Sequence, residues 1–404
     1  MQKKQSYFCK IIVVLLLVSL SMSLFLTYND ILITKRSDAI YIKSSNPKDV
    51  IDSLEKSGFE LNRVDIELLK LIDLPKEGWY KIEENPKGRF YFFYELLFNR
   101  AKTMGIVIFA GDTVDEIFTR LAKDMNLDKK EFLKYYTKYS QFLEGGILAD
   151  KYIIAQNADE EVIVRYLLDI SNTKLDFFAR QKFGLLYTHN QLHKAIIMAS
   201  IIHKESNNLK EMSTIASVIN NRLKKGMRLQ MDGTLCYGKY SHKIVTSKRI
   251  KKDNSYFNTY KHKGLPPYPI CTVTMDALDA VTSPKETDYL YFMLNSDGTH
   301  RFTKNYDEHR KNIKKFKDEK IAKKEKKQKK EIKRDKPCKK SKDDEVKAKK
   351  VEVKVVKDKK KDMPKKDKDI VKKEDKIIVE KEEVKDINQT TTHKDINETI
   401  LSVF

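Results

Sequence analysis

The pattern of apolar and polar positions divides the chain into four stretches. Lys3, Lys4 and Lys10 precede a run from Ile11 to Asn29 that has no charged residue and is almost wholly apolar from Ile11 to Leu20. A helix crossing a bilayer core needs about 20 such residues, so the run predicts a transmembrane helix over 11–29. A cleaved secretory signal is the other reading, but its apolar region is usually shorter and ends at a small-residue cleavage site. No alanine-x-alanine pattern stands near Thr27, which favours an uncleaved signal anchor. Lysines before the span hold residues 1–10 in the cytoplasm and place everything after Asp30 outside it.

Between Asp38 and about residue 187 the pattern predicts two β-turn-α units. Ile40-Tyr41-Ile42 is followed by Asn46-Pro47 and a helical spacing with Val50 and Leu54. Val107-Ile108-Phe109 is followed by Gly111-Asp112-Thr113 and then Ile117 and Leu121. In each, alternating or continuous apolar residues give way to i, i+4 spacing after a turn whose Asn46 or Asp112-Thr113 can cap the new helix. The two copies lie 67 residues apart, matching Leu54 to Leu121, and read either as related small modules or as two ordinary β-α units.

From about 188 to 313 the character changes. His193 to Glu205 predicts a helix with Leu192, Ile196, Ala199 and Ile202 on one face, broken by Ser206-Asn207-Asn208. A second helix is predicted from about Ser213 to Lys225, with Ile215, Ile219 and Leu223 inward and Gly226 as its stop. Gly233, Gly238, Gly264, Pro266, Pro267 and Pro269 then mark a long irregular stretch, of the kind that builds binding sites in compact domains. From 314 to 404, Lys, Glu, Asp and Val alternate with almost no aromatic residue. Such a segment buries too little apolar surface to offset its ordering entropy, which predicts a disordered tail or a fluctuating charged helix. The whole reads as an α+β chain: an anchor, small β-α modules, a mixed helical and loop-rich domain, and a charged tail.

Charge changes this picture little. The formal charge is +22, but residues 311–404 hold 34 Lys/Arg and 21 Asp/Glu, a net of +13, so more than half of the excess sits in the tail. The remainder is only mildly basic, and the topology puts the tail outside the cytoplasm, so nucleic-acid binding is the weakest reading. The tail is a solvated extension or an electrostatic contact for anionic wall polymer or lipid headgroups. Cys9, Cys236, Cys271 and Cys338 show no metal-ligand spacing, and no metal or cofactor is expected. Cys236 and Cys271 fall in one domain, and nothing in their spacing fixes whether they pair.

The chemistry centres on Ala199-Ser200-Ile201-Ile202-His203-Lys204-Glu205-Ser206, an apolar helix ending in a carboxyl group. A glutamate in the last turn of a buried helix is partly desolvated and faces the negative end of the helix dipole, and both effects raise its pKa. A raised pKa suits a general acid near neutral pH. Downstream stand Asn220-Asn221-Arg222-Leu223, Met227 to Thr234, Asn258-Thr259-Tyr260, Gly264 to Ile270, Asp288 to Phe292 and Gly298 to Phe302. Over roughly 115 residues and in order, this set together with Glu205 resembles the catalytic domain of the endolytic murein transglycosylases, the MltG or YceG-like family. Upstream, the span and modules resemble that family's membrane anchor and LysM-like subdomain, and Glu144-Gly145-Gly146-Ile147-Leu148 with Lys151-Tyr152 looks like its linker.

The resemblance implies cleavage between N-acetylmuramic acid and N-acetylglucosamine with a 1,6-anhydro end, and the limiting of new strand length. It implies that Glu205 protonates the leaving oxygen and then takes the proton of the sugar's own 6-hydroxyl, in place of the usual carboxyl pair of glycosidases. It also implies that Asn221, Gln230, Asp232, Thr234, Asn258, Thr259, Tyr260 and His300 bind substrate or shape the site, with amide, hydroxyl and ring groups suited to a glycan. Asp232 is at once the candidate second carboxylate and a candidate turn cap, and His300, like His309, is as readily a structural histidine. The expected partners are peptidoglycan strands, the inner membrane crossed once with the catalytic domain on the periplasmic side, and peptidoglycan synthases. The sequence departs from the family's pattern at His203, where a glutamate is common, at Gly233, where proline is usual, and at Tyr256-Phe257 before Asn258. A noncatalytic wall-binding scaffold, or a muramidase using water, are the competing readings.

Overall fold

The computed structural model describes residues 2–29, 37–71, 74–82, 88–295 and 297–334. The apolar run lies within helix α1 (Gln2–Asn29), whose stretch Lys10–Tyr28 is long and apolar enough to cross a membrane, with a mean hydropathy of 2.5 and no buried share.

Two β-α-α-β units occupy this stretch, each larger than the β-turn-α unit read from the pattern. The first runs β1 (Ala39–Ile42), α2 (Pro47–Lys56), α3 (Arg63–Leu71), β2 (Gly78–Lys81), with β1 and β2 antiparallel. Asn46 caps α2 through its side chain, and Val50 and Leu54 drop into a core with Ile40, Ile42, Phe59, Leu69 and Tyr80. Helix α4 (Arg89–Phe98) closes that core with Phe92, Phe93 and Leu96. The second module repeats the order with β3 (Thr103–Val107), α5 (Val114–Met125), α6 (Lys129–Tyr139) and β4 (Lys151–Ala155). Thr113 and Glu116 form a reciprocal capping box on α5, with Ile117 and Leu121 buried in the places of Val50 and Leu54. The second strand was expected over 107–109 and instead ends at Val107, because its pairing with β4 is set by Thr103↔Ala155 through Val107↔Lys151.

Helix α7 (Glu160–Phe183), which the pattern did not reveal, leads to α8 (His189–Glu205) and α9 (Leu209–Lys224). Helix α9 starts four residues before its expected position, because the Asn208 side chain caps it. Helix α8 is buried on nearly every side from Ala195 to His203, rather than along one stripe. A 3-10 turn at Asp232–Leu235, another at Gly238–Tyr240, and α10 (Ser247–Lys252) occupy the irregular stretch. Helix α11 (Met275–Thr282) packs on both α8 and α9. A hairpin of β5 (Tyr291–Leu294) and β6 (His300–Thr303) precedes α12 (Tyr306–Arg334).

The second module and the region around α8 are stitched by backbone bonds. Gly111 N donates to Thr272 O, Thr272 N to Asp112 O, and Ala149 N to Val273 O. Gly145, at φ +76°, permits this approach, as a Cβ there would lie 2.8 Å from Ile196, while Gly146 makes room for the end of α6, where a Cβ would lie 2.5 Å from Ser140 Oγ. The chain divides into two units, one reaching Leu294 and including Thr299–His309, the other comprising Asn295–Gly298 and the chain from Arg310. Residues 314–334, expected to be disordered or a fluctuating charged helix, continue α12 as helix; the remainder of that tail, 335–404, lies outside the described residues.

Candidate active site

Glu205 is the last residue of α8, and its position follows from how that helix is held. Thr188 and Gln191 box its first turn, and at mid-helix the Ser200 hydroxyl bonds Ile197 O and accepts from Ile270 N, tying the proline-rich loop to the helix. Ser206 ends it in extended backbone. The carboxyl group thus emerges at the rim of a buried helix, half-buried itself.

Its surroundings define its chemistry. Gly233 N donates to Glu205 Oε1 at 2.9 Å. Burial is the largest influence and raises the pKa of Glu205 to about 7; the Gly233 hydrogen bond opposes it, the Asp232 charge adds to it, and Arg222 pulls it down. A carboxyl group titrating there holds its proton in a useful fraction of molecules near neutrality. His203, two residues earlier, does not compete. Thr274 N donates to its Nε2 at 3.1 Å, and burial pushes its pKa down to about 4, so it is neutral at the start of α11.

The candidate residues separate into three groups. Asp232 and Tyr260 lie close enough to Glu205 for their charges to act on one another, and Gln230 is exposed two residues before Asp232. Tyr260 Oη donates to Asp232 Oδ1 at 2.6 Å, and the Asp232 side chain is exposed. Gln230 adopts a left-handed φ of 50° with its amide bonded to Thr259 O, and its side chain is exposed; a non-glycine residue in that region carries strain of the sort that collects at ligand sites. Thr234, Asn258 and Thr259 are buried beneath them and shape the loops. Thr259 Oγ1 accepts from Met231 N and bonds Thr234 Oγ1, while Asn258 donates to Ile250 O and Asp253 O and accepts from Tyr260 N. Asn221 and His300 hold the segment from Thr287 to Thr303. Asn221 donates to Thr287 O and Tyr289 O. His300 Nδ1 and its backbone N both meet Glu211, with the His300 side chain 6% exposed.

Four further residues bear on the site. Arg222, buried beneath it, donates to Leu290 O at 2.6 Å and to Leu229 O. Lys204 turns away from its neighbour and donates to Gly111 O at 2.6 Å and Ser241 Oγ at 3.0 Å. Glu211 also accepts from Ser206 Oγ, so it joins the end of α8 to the hairpin; its place three residues after a helix cap was the only local sign of it. Glu144 accepts from Val114 N, and burial raises its pKa to about 8. Most of these contacts have no sequence signature, because they join segments tens of residues apart; Ser206 with Glu211 and Arg222 with Leu229 are the local ones.

Asp112, Glu116 and His242 place ligand-type atoms within 4.8 Å of one another. Their oxygens already meet Arg120 at 2.8 Å, Thr113 and Ser241, donors that a cation would have to displace. Cys236 and Cys271 are both free thiols; Cys271 is buried against Ser200 O and Cys236 lies near Asp232 O and Lys243 O.

Comparison with known proteins bears on the same residues. An endolytic murein transglycosylase of Bacillus subtilis is 43% identical over 164 residues, covering 40% of this chain and 44% of that protein. One of Streptococcus pneumoniae is 26% identical over 185 residues, covering 44% and 33%. The matches thus span less than half the length of these relatives. A crystal structure of a yceG-like protein from Listeria monocytogenes aligns with 68% of this chain and 97% of that one, at 26% identity and a TM-score of 0.46. A sequence model of the YceG-like family matches residues 40–315, the modules and the whole Glu205 site together, and the chain belongs to that family.

Proposed function

We propose that this chain is an endolytic lytic transglycosylase of peptidoglycan, cutting between N-acetylmuramic acid and N-acetylglucosamine with Glu205 as its acid and base. The observation that carries the reading is the placement of Glu205: a half-buried carboxyl group at the end of α8, held by Gly233 N–H beside Asp232 and its partner Tyr260, where burial raises its pKa to about 7. The names of the relatives support the substrate class.

In this mechanism the Glu205 carboxylic acid gives its proton to the glycosidic oxygen as the C1–O bond breaks. Positive charge gathers at C1, and the Asp232 carboxylate on the open side favours it. The Glu205 carboxylate, now stabilised by Gly233 N–H and Arg222, takes the proton of the 6-hydroxyl as O6 closes on C1. The products are a free N-acetylglucosamine hydroxyl and a 1,6-anhydro end, and the enzyme regains its proton without water entering. Asn258, Thr259 and Thr234 shape the loops that receive the glycan, and the two β-α-α-β modules act as LysM-like wall-binding elements. Helix α1 serves as a single-pass anchor with the Glu205 site outside the cytoplasm, where cleavage ends strands as the synthases make them.

The test is digestion of purified glycan strands by detergent-solubilised full-length chain and by Glu205→Gln, with the ends identified by mass spectrometry. Anhydro ends from the parent and none from the variant are expected. Hydrated reducing ends would make the protein a muramidase, and glycan retention without cleavage by either chain would make it a scaffold.

A further inference from the structure

The first module is clamped to the end of α1, and the helix at that joint buries its two charges and exposes aromatic rings while also packing Phe92, Phe93 and Leu96 inward. Phe25 of α1 stacks on Phe90 of α4 at 4.3 Å, and Tyr28 meets the same ring edge-on at 5.4 Å. The Tyr28 hydroxyl donates to Asp65 at 2.6 Å. Asp65 pairs with Arg89, both side chains being almost wholly buried. Helix α4 therefore begins at the last turn of the apolar span and runs about 12 Å from Phe90 to Phe98.

A surface helix ordinarily turns its charges to water and its apolar stripe inward. In α4 the two charged residues, Arg89 and Glu95, are 3% and 1% exposed, whereas Tyr94 and Phe98 are 57% and 68% exposed. Tyr91, Tyr94 and Phe98 form one stripe by their i, i+3, i+7 spacing, with ring centroids 6.2 and 5.2 Å apart along it. Neighbouring α3, which carries Asp65, exposes Val64 and Leu71 at 52% and 82%, with the exposed Glu67–Lys70 ion pair between them, so the uncharged face is that of α4. An uncharged aromatic stripe on a helix that starts at the end of an apolar span has the chemistry of the headgroup level of a bilayer, where amphipathic rings collect.

We infer that the Tyr91-Tyr94-Phe98 face of α4 lies in the interfacial layer of the membrane that α1 crosses. The occupant of this face is lipid, and the contact fixes the first module on the bilayer rather than leaving it to swing on a tether. The inference rests on α1 being a span, and its test separates the two. Full-length chain is reconstituted in phosphatidylcholine–phosphatidylglycerol vesicles, with or without acyl chains brominated near the headgroup, and the vesicles are washed with alkaline carbonate. Tryptophan is introduced as Phe98→Trp, as Tyr94→Trp in case the first variant misfolds, and as Leu186→Trp at a 96% exposed loop position. Each is read against Trp79, which is 3% exposed.

The added emission at 98 or 94 is expected to fall about twofold in brominated vesicles, with that at 186 unchanged. A chain that survives the wash with 98 and 94 both unquenched overturns the inference while keeping the span, and means that protein or water covers α4. A chain stripped by carbonate removes the span and the inference with it.

Discussion

The amide nitrogen of Gly233 stands 2.9 Å from Oε1 of Glu205, and a Cβ at position 233 would stand 2.9 Å from the same oxygen and 2.7 Å from Lys204 Cβ. The same glycine supplies a donor and leaves the space the carboxyl group occupies. Gly233→Ala is expected to push the carboxyl group off its position and lower kcat by roughly 10–100-fold. Circular dichroism and thermal melting check that the fold survives, since Gly233 lies in a buried turn; unchanged turnover in a folded variant would show that the carboxyl position is not set by this contact.

The pH profile follows from the raised pKa of Glu205. The reactive form is protonated, so kcat/KM falls as pH rises through about 7. Stability follows with a definite sign. Between the ordinary carboxyl pKa and about 7 the folded chain holds a proton that the unfolded chain has released, so stability is lost as pH rises across that window. Glu144, pushed up to about 8 by burial, adds to the same slope. Glu205→Gln removes the first contribution alone. At about pH 8 it is expected to gain on the order of 1–2 kcal/mol, discounted for partial exposure, and at about pH 4 to gain nothing. Urea unfolding at both pH values checks this.

Asp232 raises the pKa of Glu205 and is itself held by Tyr260. Asp232→Asn is expected to move the alkaline limb of the kcat/KM profile to lower pH and to reduce kcat by about 10–100-fold. Tyr260→Phe keeps the charge and frees its position, so the limb is expected to stay while kcat falls by less, about 3–10-fold. Equal pH profiles for parent and Asp232→Asn would show that the charge is too well solvated to act.

Asp65 and Arg89 form a buried ion pair that also receives the Tyr28 hydroxyl. Asp65→Ala leaves a buried guanidinium without its counter-charge and is expected to destabilise the first module by about 3–5 kcal/mol. Hydrogen exchange is expected to rise over 39–98 and to stay at parental levels over α8 and α9. Exchange unchanged over 39–98 would mean that Arg89 finds another acceptor.

What was local in this protein was legible in its sequence. The apolar run of α1, the caps at Asn46 and Thr113, and the buried pairs Val50/Leu54 and Ile117/Leu121 depend on side chains within one helical turn, so spacing discloses them. The order of motifs from Glu205 to Phe302 carried the family for the same reason, as it is a linear property of the chain. The tertiary structure alone decided which of those residues come close to Glu205. Asp232 and Tyr260 stand close to Glu205, whereas Asn258, Thr259 and Thr234 are buried supports and His300 is occupied by Glu211. It also decided the acidity of Glu205, because that depends on burial and on the charges of Asp232 and Arg222, 27 and 17 residues further along the chain. Desolvation and Coulomb energy are functions of distance in space, and sequence order does not contain those distances until the chain has packed.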